Sequence, residues 1–395
     1  MLNEGDELVT GLVLGSHQIP VPVVLAPMAG VTNQAFRRLC REFGPGVYVS
    51  EMVTARALLE RNSETLRMCA FDSDETPRSL QLYGTDPATV AAAVKLVIAE
   101  DLADHVDLNM GCPVPKVTRK GGGAALPWKI DLFAAIMSAA VAAARETSEA
   151  HGRERVPVTV KMRMGIDVDH LTYLDAATAA AEAGVAWVAL HARTAQQLYG
   201  GHADRRAIAT LVEHLRNSEA VVLGNGDIWS AADAVAMVAD TGCAGVVVGR
   251  GCLGRPWLSG QLAAAFLGHP IPADPGLAEI ADIMRRHCGY LVEILGADRG
   301  PRDFRKHVSW YLKGFSVPHH IRVGLAHVHS EAELAALLAE IDLEQPFPAA
   351  AGRNPRGRTS GGRPVTLPQG WLDSRFADAH ERAVVAAGEG HSSGG

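Results

Sequence analysis

Residues 106–126, VDLNMGCPVPKVTRKGGGAAL, place a thiol, a cationic loop and three consecutive glycines directly after an apolar strand. An apolar strand from Val106 to Met110 runs into Gly111-Cys112-Pro113, where Pro113 has no N–H with which to extend a sheet ladder. The Cys112 thiol is thereby left at a strand end. A cationic loop with Lys116, Arg119 and Lys120 follows, then Gly121-Gly122-Gly123, whose missing side chains let backbone approach a ligand or another segment closely. Cys40, Cys69, Cys243, Cys252 and Cys288 lie in apolar or helical surroundings and read as small buried hydrophobes. Cys112 differs by its flanks: a thiol ahead of a basic loop points to chemistry on an anionic substrate.

On either side of this stretch, short apolar runs alternate with Ala-rich helical segments. The runs are 23–26, 47–51, 79–83, 105–110, 157–162, 187–191, 220–224 and 245–249. Helices are expected over 34–43, 87–101, 131–148, 171–183, 205–216 and 230–241, with Asp131 and Ser230 as N-caps. Eight repeated βα units predict an α/β fold, a closed (β/α)8 TIM barrel over residues 1–258, with a hairpin at 8–20 plugging its lower end. Nearly every run ends in groups that bond or react: Pro27-Met28-Ala29-Gly30, Glu51, Gln81 and Tyr83, Asn109 and Cys112, Lys161 and Arg163, His191 and Arg193, Asn225-Gly226-Asp227, and Gly249-Arg250-Gly251. In a barrel of this kind those positions share one rim, the active-site face.

The last two loops are the usual phosphate site of the fold, and their glycines free backbone N–H groups while Arg250 adds a charged donor. No Gly-x-Gly-x-x-Gly opens a helix after a strand, so a Rossmann site is not indicated. A flavin mononucleotide is the natural candidate, with its ring over Pro27-Met28-Ala29 and bonded by Gln81 and Lys161. A lysine inside the apolar run VPVTVKMRM is costly without a partner, and an ammonium there suits the charge that builds on a reduced flavin. His191 reads equally as a packed histidine or a cofactor contact. No metal site is expected, because His202 and Asp204 lack a third ligand at zinc-like spacing.

After about residue 258 the pattern becomes helical without β runs, at 261–267, 277–295, 302–314 and 331–343, a small bundle over 259–345. Between residues 285 and 322, eight Lys/Arg face three acids, an excess of five in a chain whose formal charge is −7. Because phosphate contacts dominate nucleic-acid affinity, Arg302, Arg305 and Lys306, with Lys116, Arg119 and Lys120, are expected to grip RNA. Trp310 and Tyr311 either stack on bases or pack the bundle. Residues 346–395, rich in Gly, Pro and Ser, read as a disordered tail with a short helix possible at 373–387. Six scattered cysteines without a Cys-x-x-Cys pair, an acidic N-terminus unlike a secretory signal and no long apolar run fit a cytoplasmic protein.

The chain resembles the tRNA-dihydrouridine synthases, most closely their bacterial B-type branch. The resemblance is carried by VDLNMGCP (106–113) with Val117 and Gly123-Ala124 at the spaced positions. Further matches are LAPMAGVTNQAFRRL (25–39), SEMV (50–53), QLYG (81–84), VKMRMG (160–165), HART (191–194), GNGDI (224–228), VGRG (248–251) and RKHVSWYLKG (305–314). Arg205 stands where the family usually has Trp, and the tail has no counterpart in the family pattern. The resemblance implies an FMN enzyme that reduces the C5–C6 bond of particular tRNA uridines, with NADPH as electron donor. Pro27, Met28, Ala29, Gln81, Lys161, His191, Asn225, Gly226, Asp227, Gly249 and Arg250 would hold FMN. Cys112 would protonate C5 after hydride reaches C6, and Asn109 and Arg163 would bond the uracil edge. Two other readings have different signatures. A barrel oxidoreductase of a free small molecule, of dihydroorotate type, would not need the basic bundle, and a non-catalytic RNA-binding factor would bind RNA without flavin.

Overall fold

The computed structural model describes residues 11–359 and 361–389. The acidic first residues, and with them the start of the expected hairpin, lie outside that range. Strands β1 (Leu12–Leu14) and β2 (His17–Ile19) pair antiparallel. Eight strands then close a barrel: β3 (Val23–Leu25), β4 (Val47–Thr54), β5 (Ser79–Tyr83), β6 (His105–Met110), β7 (Val158–Arg163), β8 (Trp187–His191), β9 (Val221–Asn225) and β10 (Gly245–Val248). Each is parallel to its neighbours and β10 returns to β3, so the fold is the expected (β/α)8 barrel.

Alternation along each strand decides what faces where. On β5, β6 and β7 the even-numbered Leu80, Leu82, Val106, Leu108, Val158 and Val160 pack outward on helices with Val94, Ile98, Phe133 and Ile136. At the lower end of the barrel Leu12, Leu14 and Ile19 of the hairpin meet Val24, Val47, Val49, Trp187 and Val247, so the hairpin closes that end with apolar area. The helix Ala231–Thr241 is capped as expected, Ser230 and Asp233 forming a reciprocal capping box. Asp131 is not a cap. The helix begins at Ile130, and the Asp131 carboxylate instead accepts the Ala377 N–H and pairs with Arg382.

One buried ion pair ties the helix Gln34–Arg41 to the loop before β5. Arg37 and Glu75 are both fully buried, their closest approach is 2.7 Å, and the guanidinium also donates to the carbonyls of Thr32 and Ala70. Removing one partner strands the other charge, so Glu75→Ala is expected to cost about 3–5 kcal/mol of stability, read as a lowered denaturant midpoint.

Helices Leu258–Phe266, Leu277–Leu295, Arg299–Tyr311, His319–Leu325 and Glu331–Ala339 follow the barrel. A second core of Leu277, Met284, Phe304, Leu312, Leu325 and Leu338 also takes in Ala35 and Leu39 of the barrel's first helix. Pro301 sits in the first turn of its helix, where a missing N–H is tolerated, so that helix starts earlier than expected. The short helix His319–Leu325 is an addition to the expected bundle.

Parts of the tail depart from the expected disorder, while stretches such as 361–364 are exposed and without regular structure. Arg356 is buried and donates to the carbonyls of Leu253, Trp310 and Ala351. Trp371 is 1% exposed, and a helix spans Ala379–Glu389. The composition is too poor to build a core of its own, but a few large side chains find seats on the barrel. No helix among the described residues is long and apolar enough to cross a membrane.

Candidate active site

A cavity of about 920 Å³ opens at the carboxyl ends of the barrel strands, roofed on one side by Leu291, Ile294, Leu295 and Trp310 of the C-terminal helices. It brings together Pro27, Met28, Ala29, Gln81, Asn109, Cys112, Lys116, Lys161, Arg163, His191, Asn225, Gly226, Asp227, Gly249, Arg250 and Lys306. Arg119, Lys120, Arg302 and Arg305 do not line it.

Below the cavity the inward-facing residues of β5, β6 and β7 form a buried polar chain. Burial pushes His105 down to about 3, so its imidazole is neutral. The Thr159 hydroxyl gives its proton to Asp107 Oδ1 at 2.6 Å, so His105 Nε2 donates to Thr159 at 2.7 Å and Nδ1 accepts from Ser79 at 3.0 Å. Burial raises the Asp107 carboxyl, with the hydrogen bonds from Thr159 and Gln81 and the charge of Lys161 opposing; as a carboxylate it accepts from both, which sets each amide beyond it. Gln81 Nε2 donates to Asp107 Oδ2 at 2.7 Å, and Gln81 Oε1 accepts from Asn109 Nδ2 at 2.8 Å. Asn109 Oδ1 then accepts the N–H groups of Gly111 and Cys112, at 3.2 and 3.0 Å. A directional relay therefore sets the turn that carries the thiol. Asp107 and Thr159 are not singled out by the sequence reading, although period-two spacing puts Asp107 on the same strand face as Asn109 and is the available signal.

Cys112 is half-buried while the other five cysteines are buried. Burial pushes its thiol up, against a weaker opposing pull from Arg163 and Lys161, so it is protonated at neutral pH. Lys161 is held down to about 8, first by burial and then by Arg163, with Asp107 and Cys112 opposing. Arg163 is held down to about 10 by burial. Its Nε donates to the Gly111 carbonyl at 3.0 Å, and its Nη1 to the carbonyls of Thr194 and Leu198. Nη2 is left without a bonded partner among the described residues. His191 is buried and well below the ordinary histidine value, first through burial and then through Arg163, Lys161, Arg193 and Arg250, so the imidazole is neutral.

The turns after β9 and β10 differ from the expectation in how they present themselves. The Asn225 side chain donates to the Val247 carbonyl at 2.6 Å. Both Asp227 oxygens accept from Arg193 Nη2 at 2.8 Å, and one also accepts the Ala203 N–H at 2.7 Å. Those side chains help hold the rim together, and the Asn225 Oδ1, its second N–H and the backbone of the turn remain for a ligand. Gly226 has φ +130°, and a Cβ there would lie 2.5 Å from the Ala203 Cβ. Arg250 lies over the rings of Tyr199 and Trp229, 4.7 and 5.0 Å from their centroids, and donates to the Arg358 carbonyl at 2.7 Å. Arg163, Arg193 and Arg250 repel one another here, and an anionic group between the glycine turns would relieve that repulsion. Glu51 lies inside β4, which runs on to Thr54 past an irregularity between Val49 and Met52 and so ends later than expected; its carboxylate accepts the Gly30 N–H, and burial raises its carboxyl, with that hydrogen bond and Lys306 opposing.

The basic excess of the C-terminal helices is mostly spent internally. Arg285 pairs with Asp282, Arg286 with Glu42, Arg299 with Glu64 and Lys306 with Asp303. Arg305 donates to the carbonyls of Val328 and His327, Arg322 to those of Leu312 and Phe315, and Lys313 to that of Pro355. Arg302 alone of the eight has no bonded partner among the described residues, and it is exposed. Tyr311 is buried with its hydroxyl 3.0 Å from His287 Nδ1, so it packs the bundle, whereas Trp310 reaches the cavity.

A family model described as dihydrouridine synthase (Dus) matches residues 24–348. A probable tRNA-dihydrouridine synthase of Mycobacterium tuberculosis (strain ATCC 25618 / H37Rv) is 51% identical over 389 residues, covering 97% of this chain and 96% of its own length. A protein of the same description from Mycobacterium leprae (strain TN) is 53% identical over 375 residues, 88% of this chain and 95% of its own. The tRNA-dihydrouridine synthase B of Pseudomonas aeruginosa is 37% identical over 300 residues, 76% of this chain and 86% of its own.

Proposed function

This chain belongs to the dihydrouridine synthase family, and from that premise we propose that it reduces particular uridines of tRNA to 5,6-dihydrouridine in the cytoplasm, with FMN as resident cofactor and NADPH as electron donor. The observation that carries the reading is a half-buried thiol, Cys112, sharing one cavity with Lys161 and the glycine turns at Gly226 and Gly249. Those residues fit FMN: the repelling arginines call for a phosphate, and Lys161 offers a poised ammonium for a ring that gains negative charge. Pro27, Met28, Ala29, Gln81 and His191 would complete the holder. FMN, when bound, supplies the hydride that the reaction adds at uracil C6.

The chain's own residues do the rest. Cys112 Sγ holds the proton destined for C5, since burial keeps the thiol neutral. Arg163 Nη2 and the second N–H of Asn109 Nδ2 remain to donate to the uracil edge. A uridine must leave its stack to enter a cavity at the barrel rim, as for other enzymes that act on a base. Mapping dihydrouridine in tRNA from cells lacking this protein tests the reading. At least one position should lose the modification and regain it on complementation, and an unchanged map rejects the assignment.

For tRNA binding, the exposed Arg119 and Arg302 take precedence over Arg305, whose guanidinium is committed to carbonyls. Lys116, Lys120 and Lys306 remain within reach of the same face in this proposal. Charge reversal at Arg119 or Arg302 is expected to weaken tRNA binding and to reduce the salt slope of the binding constant by about 1 for each phosphate no longer neutralised. Unchanged slopes remove these two residues from the interface.

A further inference from the structure

We propose that the C-terminal residues 355–359 and 361–389 are a brace that holds the Cys112 loop in its reacting position, with Trp371 as the positioning residue. The proposal rests on the assignment of Cys112 as proton donor. The segment lies beyond the residues that match the family model, so the barrel's catalytic frame does not by itself account for it.

Its contacts fall on the rim loops one after another. The Arg358 carbonyl accepts from Arg250, and the Arg363 N–H donates to the Gln196 carbonyl at 3.1 Å, in the loop whose Leu198 carbonyl holds Arg163. Trp371 then lies on the backbone of the loop after Cys112. A Cβ on Gly121, whose φ is +76°, would come within 2.5 Å of the Trp371 ring, and Trp371 Nε1 donates to the Ala125 carbonyl at 3.0 Å. Next to that carbonyl, the Ala124 N–H donates to the Cys112 carbonyl at 3.0 Å. The path from indole to thiol residue is therefore two hydrogen bonds joined by the adjacent residues Ala124 and Ala125.

Lys129 is an independent sign that the loop is built to receive this segment. Its side chain is fully buried, its Nζ makes no hydrogen bond among the described residues, and the acid at ion-pair distance is Glu381 at 2.6 Å, supplied by the tail, with the Trp371 ring 5.0 Å from the ammonium. A buried ammonium needs such a partner, so the loop carries a cation that only the docked tail neutralises among the described residues. Beyond it, Lys120 donates to the Gly388 carbonyl at 2.8 Å and Thr85 to the Val385 carbonyl at 3.1 Å. A loop containing Gly121-Gly122-Gly123 loses much conformational freedom when ordered. The brace meets that cost before substrate arrives.

The test uses full-length, flavin-loaded protein and reads the loop directly. Cys112 is the one cysteine of the six that is not buried, so its alkylation by iodoacetamide reports how the loop sits. In Trp371→Ala, alkylation is expected to quicken about tenfold or more, trypsin to cut sooner at Lys116, Arg119 and Lys120, and kcat to fall about 10- to 100-fold with flavin content unchanged. Trp371→Phe keeps the apolar seat filled and deletes the Nε1 hydrogen bond. It should shift the same readouts in the same direction by less, and it carries the test if Trp371→Ala does not fold. Wild-type alkylation in a folded variant, whether or not kcat falls, overturns the brace. Failure of the functional reading looks different: wild-type protein would form no dihydrouridine, while the alkylation contrast would stand.

Discussion

Replacing Cys112 with alanine is expected to slow dihydrouridine formation about 10²- to 10⁴-fold, the usual range for loss of a positioned general acid, with flavin still bound. The flavin should stay because the expected holders are carried by other strands, and the Cys112 turn is fixed through its backbone N–H to Asn109. The proton matters only as charge develops on the uracil, so kcat and kcat/KM should fall together while tRNA affinity is kept. Single-turnover reoxidation of the prereduced variant by tRNA measures this without interference from NADPH. Wild-type turnover in that variant would remove Cys112 from the chemistry.

The second large effect is expected at Lys161. Lys161→Met keeps the stem and removes the ammonium, and is expected to lower kcat about 10²- to 10³-fold, as for loss of a single preorganised charge donor. Flavin should also bind more weakly and become harder to reduce. The wild-type pH dependence follows from the same group. In the free protein Lys161 is held down to about 8, below the ordinary lysine value of 10.5, chiefly by burial. Its charge is present below that pH and lost above it, so affinity for an anionic flavin should decline as pH rises through about 8. The folding linkage runs the other way. Between about 8 and the ordinary lysine range the unfolded chain holds the proton and the folded one does not, so the flavin-free protein gains stability from this group as pH rises through that window. Titrating flavin affinity and denaturant midpoint in wild type and Lys161→Met separates the two trends, and both should vanish in the variant.

The barrel was legible because its signal is local. Each strand is an apolar run closed by a polar strand end, and the repeat of that pattern gives parallel strands whose ends share a rim. The strand-end positions singled out for the cofactor do line one cavity. What their side chains bond was less legible, because it depends on cross-strand neighbours. Asn225 and Asp227 in GNGD do line the cavity, and they also bond the Val247 carbonyl and Arg193, partners the sequence does not reveal. Asp107 looks like part of a buried strand, yet it orders three neighbouring polar side chains.

Long-range pairing defeated the charge count. The excess over 285–322 shrinks once Glu42 and Glu64, more than two hundred residues earlier, meet Arg286 and Arg299. The tail failed for a related reason. Composition reports whether a segment can fold alone, and 346–395 cannot; it says nothing of a seat elsewhere on the molecule such as the one Trp371 occupies. Lys129 shows the same limit: it stands two residues from Asp131 in sequence, and only the fold reveals that it is fully buried and meets Glu381 of the tail.

The most direct test is anaerobic. The purified protein, loaded with flavin and reduced, is mixed with an unmodified tRNA transcript while the visible flavin absorption is followed and the RNA is then analysed for dihydrouridine. The expected result is that tRNA restores the oxidised spectrum and that one dihydrouridine forms per flavin reoxidised. A protein that takes up no flavin, or a reduced flavin that tRNA leaves unchanged, contradicts it.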